Sequence, residues 1–532
     1  MAYLHTPYRN YVPRWGKVAG IILLVMAQYL ISGLNGEIGP RVTSYFGLDS
    51  SKVSFFLHIS TVGLVAMFPL AYRFRAFFRR IDLMMWTIGL QLFISLLCYF
   101  TQNESLLLIS SLLMGAIKIV CILDLLSLSI ALFPFMRNRG LLYGIFYGFS
   151  RIMREISIYV HLNLMENYHW PSVFLLSAGM AAFSIILCLF LFHFSRLQRK
   201  VPLYQIDWLS VLLILISGIS LCYVTTMGRE KDWWTSPKII YATIAFLLSS
   251  LFFVHRQFTS KRPFWDLRVF KWYKQIPLGF GIMLLVFFFY ETSIFYNTFI
   301  DYNFSNEEHY LGKITLIQAG TYLFCFPLAG YLFYRGISKR LLLCIGFLSS
   351  GMSLLYFSFI IQPDLTYADL APCLILISLG YAFTLTTAAA FMSTNVARND
   401  NKARAMGSIY ARYVLGSFAT YAIFTNWLYR GTRHHFSRLS EHINAANPFF
   451  SRQFKMISGA FKSHSGDLYS AQRQALQLLA HKTELQAMLV TLRDITCIIG
   501  VLAVLAALLV LFIRRLEMHK VKGKNHYRII PW

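Results

Sequence analysis

Charge is scarce in this sequence. Only 14% of its 532 residues are Asp, Glu, Lys or Arg, against roughly 25% in a soluble domain, while 57% are hydrophobic and 17% aromatic. A water-facing globule of this length cannot bury so much apolar surface, and the same composition excludes disordered tails and coiled coils. Acids are scarcer still: 23 Asp+Glu stand against 49 Lys+Arg, a formal charge of +26. Cysteine is sparse, and Cys98, Cys121, Cys188, Cys222, Cys325, Cys344, Cys373 and Cys497 all fall inside apolar runs without a CxxC pair. They read as small buried apolar residues, with neither a disulfide framework nor a metal site. The signatures GxxxxGK[ST], HExxH and GxSxG are missing, which excludes a P-loop pump, a zincin and a hydrolase nucleophile elbow. His434, His435, His442, His464 and His481 lack ligand spacing, so neither metal nor cofactor is expected.

What the chain has is long apolar runs. A spanning helix needs about 20 such residues. Runs of that kind lie near 17–38, 53–72, 83–101, 106–135, 140–162, 171–194, 208–226, 237–254, 276–299, 311–334, 341–361, 366–391, 405–428 and 491–513, about fourteen spans in all. They are far longer than a barrel strand of about 10 residues, so the fold class is an all-α membrane protein. The first run follows Arg9, Arg14 and Lys17 and lacks a small-residue cleavage site, so it reads as a retained span.

Lys and Arg alternate between loops. RFRAFFRR (73–80), MRNR (136–139), SRLQRK (195–200), the stretch 255–274, YRGISKR (334–340) and ARNDNKAR (397–404) are basic; TQNES (101–105), NLMENYHW (163–170), DYNFSNEEHY (301–310) and QPDLTYAD (362–369) are nearly free of cations. Basic loops stay on the cytoplasmic side, and both termini join the basic set, so both are expected to be cytoplasmic. The charge of +26 therefore speaks of topology and anionic lipid, and nucleic acid is not an expected partner. One long outer loop, 429–490, breaks the pattern with eight cations. Its part from Asp467 to Met488 has an amphipathic helical pattern, as if the last span continued outward, and reads as either a solvated hairpin or a docking surface.

Several stretches resemble the 14-helix drug:proton antiporter group of the major facilitator superfamily, the EmrB/QacA type. Asp207-Trp208-Leu209-Ser210, GREKDWWTSP (228–237) and RPFWDLRVF (262–270) resemble the segments around that group's two linker helices. HWPSVF (169–174) resembles its start of span six, and Ala411-Arg412 with Gly416-Ser417 its span-13 motif. The resemblance implies a 6+2+6 major facilitator fold: a six-helix bundle over 1–200, two linker helices over 201–274, and a second bundle over 275–532 that includes loop 429–490. It further implies secondary active export of an amphiphilic small molecule by alternating access with proton antiport, in a cell membrane (the inner one in a Gram-negative host), with a periplasmic adaptor and an outer-membrane channel as partners. The chain departs from the pattern in PLAYRFRAFFRR, where Tyr72 and Ala76 replace the loop 2–3 glycine and aspartate, and in span four, where Ser111 replaces an arginine. These departures keep open a non-transporting sensor or assembly subunit; a membrane-embedded enzyme is the other alternative.

Ionisable groups inside spans mark cavities or ion pairs. The acids Glu37, Asp124, Glu155 and Glu291 are the proton-coupling candidates, with Glu37 first because it lies deep in span one before Pro40. The bases Lys118, Arg151, Arg154 and Arg412 are substrate-cavity candidates, with Tyr147, Tyr290, Tyr159 and Tyr296 as apolar walls. Gly144, Gly148, Arg151 and Glu155 share one helical face, and Arg151 and Glu155, one turn apart, could pair. Lys118 is expected to stand in for the span-four arginine. Bases beside acids suit an anionic or zwitterionic amphiphile better than a lipophilic cation.

Overall fold

The structure, a computed structural model, describes residues 8–31, 49–101, 103–193, 203–303, 309–363, 365–397, 400–441, 443, 447–465 and 468–513. Among these the chain is almost entirely helical. Helices α1 (Arg14–Leu30), α2 (Ser50–Phe77), α3 (Arg80–Phe100), α4 (Glu104–Leu132), α5 (Arg139–Asn167) and α6 (Ser172–Leu191) come first. A hairpin of α7 (Trp208–Met227) and α8 (Pro237–Thr259) follows. The rest comprises α9 (Gln275–Tyr290), α10 (Ser293–Asn303), α11 (His309–Tyr334), α12 (Lys339–Ile360), α13 (Tyr367–Ser393), α14 (Asn401–Tyr410), a π-helical stretch over Ala411–Ala419, α15 (Thr420–Ser440), α16 (Pro448–Ser465) and α17 (Leu468–Phe512).

Eleven spans among the described residues are long and apolar enough to cross a membrane. The three other expected spans are helices as well. Only 17 residues of α1 are described. The other two, α5 and the run α14–π–α15, carry Arg151, Arg154 and Glu155 or Lys402, Arg404 and Arg412, which dilute their hydropathy. Each of the fourteen runs read from the sequence thus has its helix. The ends follow local chemistry: Asn103, Asn138 and Asp207 accept backbone N–H groups as N-caps of α4, α5 and α7, and Thr366 with Asp369 closes a capping box on α13. Five cysteines are buried in these helices, but Cys497 lies exposed on α17, unlike the packing role expected for all eight.

Helices α1, α3, α4 and α6 share one apolar core, with α2 packed on α4 and α5 on α1 to complete a first helix set, and α9–α13 with α15 and α17 share another core, that of the second set. Two seams join them. In the first, α5 runs along α11, where a Cβ on Gly144 would lie 2.7 Å from the Phe326 carbonyl oxygen and 2.9 Å from the Gly330 Cα. Small residues let the two backbones touch. In the second, α2 lies on α14–π–α15 through side chains: Tyr421 Oη meets Ser54 Oγ at 2.8 Å, and His58 packs edge-on against the Tyr421 ring.

The α7–α8 hairpin lies against α2 and the π stretch. Its base is tied by Asp207, which accepts Arg256 Nη2 at 2.8 Å and Nε at 3.0 Å besides capping α7. After α8, the Trp265 backbone N–H donates to Gln257 Oε1 and the Trp265 indole to the Ala403 carbonyl, which fastens the linker loop to α14. Beyond the spans, α16 and the end of α15 pack on α17. Of the continuation expected from Asp467 to Met488, the part from Leu468 on is present as the start of one uninterrupted helix of 45 residues, and Asp467 lies outside the described residues.

Gly144→Leu should force α5 off α11 and cost about 1–3 kcal/mol. Gly89→Leu, at a glycine with open space around its missing Cβ, should leave stability within about 0.5 kcal/mol of wild type; chemical denaturation in micelles distinguishes them. Burial would raise the Asp207 carboxyl, but the hydrogen bonds from Arg256 and Ser210 outweigh it and hold the pKa below its ordinary 3.8. A depressed carboxylate stabilises fully above its ordinary value, and that contribution disappears as the pH falls through the lower folded value. Asp207→Asn should therefore cost roughly 1 kcal/mol at neutral pH, a modest figure because the Arg256 partner is half-open. The difference should shrink to nothing in strong acid, as thermal melts at stepped pH would show.

Candidate substrate-binding site

The expected face of α5 exists, and its two halves do different things. Gly140, Gly144 and Gly148 meet α11. One to two turns further on, Arg151 is buried at 4% exposure and reaches across the seam to the second helix set. Its Nη1 donates to Tyr290 Oη at 2.7 Å and its Nη2 to Tyr381 Oη. The guanidinium carbon lies 4.5 Å and 4.6 Å from the centroids of those two rings, which are themselves 4.0 Å apart. Cation–π attraction and charge-assisted hydrogen bonds act here on one cation. Arg154 Nη1 adds a 2.9 Å bond to the same Tyr290 hydroxyl and lies 3.8 Å from Glu155. The Arg151–Glu155 pairing expected from their spacing thus gives way to tyrosine partners for Arg151, with Arg154 beside Glu155.

Two irregular segments face each other beside this cage. Span nine breaks between Tyr290 and Ser293, and Glu291 sits in the break. Opposite, the π stretch presents Ser417, whose Oγ donates to Glu291 Oε1 at 3.1 Å. Gly416 is required there, because a Cβ would lie 2.6 Å from Phe287 Cβ. Arg412, also on the π stretch, stacks 4.7 Å over Tyr413 and 5.6 Å over Phe287. The Ala411-Arg412…Gly416-Ser417 motif is therefore the π helix itself, a local distortion common at functional sites.

Around this centre, Lys118 lies 5.8 Å over the Tyr29 ring. Tyr29 lies beside Ser150, within electrostatic reach of Arg151 and Arg412. Tyr147 stacks on Tyr143 with centroids 5.5 Å apart, within electrostatic reach of Arg412 and Tyr381. Seven of the ten site residues read from the sequence, namely Lys118, Arg151, Arg154, Glu155, Arg412, Tyr147 and Tyr290, are gathered here, and Glu291 adjoins them. Glu37 lies outside the described residues. Asp124 is elsewhere: buried on α4, it binds Arg75 Nε at 3.1 Å and Arg80 Nε at 3.0 Å, both from the basic RFRAFFRR stretch. Tyr159 packs on Gly312 of α11, and Tyr296 bonds to Ser353 inside the second core.

Tyr381, Tyr322 and Tyr29 were not singled out by sequence. Tyr381 lies on α13, whose following turns to Ser393 are wholly buried, and no sequence signal separates it from the other aromatics. The assembled group can bind an anion through guanidinium and phenol donors and enclose apolar surface between rings.

A sequence profile of the Major Facilitator Superfamily matches residues 20–425. Among curated relatives, the probable multidrug resistance protein EmrY of Escherichia coli K12 is 24% identical over 322 residues, 59% of this chain and 60% of that protein. The multidrug export protein EmrB of the same strain is 20% identical over 335 residues, 62% of each. The chain thus spans about six-tenths of the length of the curated relatives it matches. In fold it is similar to a POT family transporter solved with 5-aminolevulinic acid (TM-score 0.57, 11% identity, 95% of this chain and 97% of that one). It is also similar to a mutant form of the nucleoside transporter NupG (TM-score 0.51, 13% identity, 78% and 92%). The family profile covers most of the chain: the chain is a multi-pass membrane protein and belongs to the major facilitator superfamily.

Proposed function

We propose that this protein exports an amphiphilic small molecule bearing an anionic or zwitterionic group, by alternating access driven by proton antiport. The observation that carries this reading is the position of Arg151. It lies on α5 of the first helix set, its tyrosine partners on α9 and α13 of the second, and Arg151 and Tyr381 are buried, with Tyr290 half-buried, where the two sets meet. A ligand anion that takes over the guanidinium would exchange a contact between the sets for contacts to itself, so binding and the relative position of the sets are coupled. Arg154, Arg412 and Lys118 keep the site positive, and Tyr29, Tyr147, Tyr290 and Tyr381 supply its apolar walls. The names of EmrB and EmrY as drug-export and resistance proteins support the direction of transport.

Among the acids, Glu291 is the proton carrier we favour within the described residues. It lies in a helix break, against a hydroxyl of the π stretch, next to the cation cage. Glu155 shares the cage with Arg154, and Glu37 remains the sequence-based candidate in span one. Asp124 we assign to clamping the basic loop through Arg75 and Arg80. The basic loops and both termini face the cytoplasm in this reading, which places the α15–α16–α17 projection outside as the contact for a periplasmic adaptor and, through it, an outer-membrane channel.

Proteoliposomes with an imposed pH gradient test the proposal. The wild-type protein should move anionic or zwitterionic amphiphiles against their gradient only while the proton gradient persists. Arg151→Gln should reduce that flux at least about a hundredfold, the loss of about two charge-assisted contacts. Glu291→Gln should retain substrate exchange while losing the response to the gradient. Gradient-independent movement by the wild type, or preferential transport of lipophilic cations unaffected by Arg151→Gln, would sink the reading.

A further inference from the structure

At the end of the molecule that carries the basic loops, well apart from the tyrosine cage in sequence and in its lining, lies a cleft of about 200 Å³. Four parts of the chain form it, one of them the start of the α7–α8 hairpin with Ile206 and Asp207. Helix α2 contributes Tyr72 and Arg73, the linker loop after α8 contributes Arg262 and Phe264, and α14 contributes Lys402 and Met406. Helix α2, the linker loop and α14 thus each bring one cation together with apolar side chains. The Lys402 ammonium lies 5.4 Å over the Tyr72 ring, so α2 and α14 already touch through charge and aromatic face. Two acids also line the cleft, Asp207 and Asp266. Asp207 is matched by the two-pronged Arg256 contact, and Asp266 accepts the backbone N–H of Arg268 at 3.1 Å. Three cations against two acids, one of them already matched, leave the cleft positive.

The chemistry fits a phosphate. Guanidinium groups recognise phosphate oxygens through paired donors, an ammonium adds a point charge, and neighbouring rings and Met406 suit the apolar atoms next to a phosphodiester. Basic pockets between helices at the anionic face of a bilayer are where lipid headgroups collect. We propose that this cleft binds the phosphate of an anionic phospholipid headgroup and that the bound phosphate ties α2, the linker loop and α14 together, holding the second seam shut at that end. Neither the transport reading nor the identity of the exported substrate enters this inference.

The test uses the full-length protein in nanodiscs of phosphatidylcholine alone or with phosphatidylglycerol, followed by native mass spectrometry of retained lipid and by thermal melts. Wild type should retain phosphatidylglycerol over phosphatidylcholine and melt higher in its presence. Arg73→Gln/Arg262→Gln/Lys402→Gln should bind it at least about tenfold more weakly and lose the rise in melting temperature. Lys261→Gln/Lys271→Gln/Lys274→Gln, which removes three exposed cations of the same end from outside the cleft, should behave like wild type. Inorganic phosphate is the second arm: stabilisation by it, lost in the cleft variant, would assign the site to free phosphate and overturn the lipid assignment. Equal retention by the cleft variant and wild type, or equal loss in both triple variants, would reduce the effect to bulk charge and overturn the site.

Discussion

Hydrocarbon cannot solvate an ion, so every charge built into these spans has to find its partner inside the protein. That constraint organises the molecule. Arg151 is met by two tyrosines, Asp124 by two arginines, Glu291 by Ser417 and the buried Arg404 by Asn401 at 2.9 Å. Partners for Arg151 come from the other helix set, and those for Asp124 from the end of α2 and the start of α3. Except for Arg404, whose partner lies on its own helix, these ions are points where separate elements are pinned, and any rearrangement of the helices has to trade these contacts for others of similar strength.

The two seams solve the joining of the helix sets differently. Along α5 and α11 the contact is backbone to backbone over glycines, a surface that slides only if the helices separate. Along α2 and α14–π–α15 it is made by side chains, from Ser54 and Tyr421 at one end to Tyr72 and Lys402 at the other. Side-chain contacts can re-form in new registers, so the second seam is the more adaptable. The α7–α8 hairpin backs that seam, with Asp207–Arg256 fixing the hairpin and Trp265 holding its loop to α14.

The architecture was largely legible because length and hydropathy alone decide what spans a membrane. Among the described residues each of the fourteen apolar runs is helical, with span nine broken at Glu291, and the amphipathic stretch before the last span is continuous with it. The site was legible in its charges, since ionisable residues in apolar runs are conspicuous: Arg151, Arg154, Glu155 and Arg412 gather as a group. Their partners were harder to see. Tyr381 counts as one aromatic among many in a chain that is 17% Phe, Trp and Tyr, and only the fold shows that it lies opposite Arg151. Helical spacing placed Arg151 and Glu155 within reach of each other, yet it says nothing of a partner arriving from another helix. Asp124 carries the same lesson, because Arg80 lies 44 residues away along the chain and Arg75 further still. The π stretch has no composition signal; within it, Gly416 lets the backbone pass close to the Phe287 side chain.

Helix α17 has a mechanical consequence. At about 1.5 Å per residue its 45 residues measure about 67 Å, roughly twice the thickness of the hydrocarbon layer. Its inner half is packed along α12, and its outer half carries α16 and the end of α15. With no break between the halves, the projection is a pointer rigidly fixed to the second helix set. In the proposed alternating cycle, a tilt of that set inside the membrane would be magnified at the far tip and would display the state of the buried site at a distance, where another molecule could sense it without entering the bilayer.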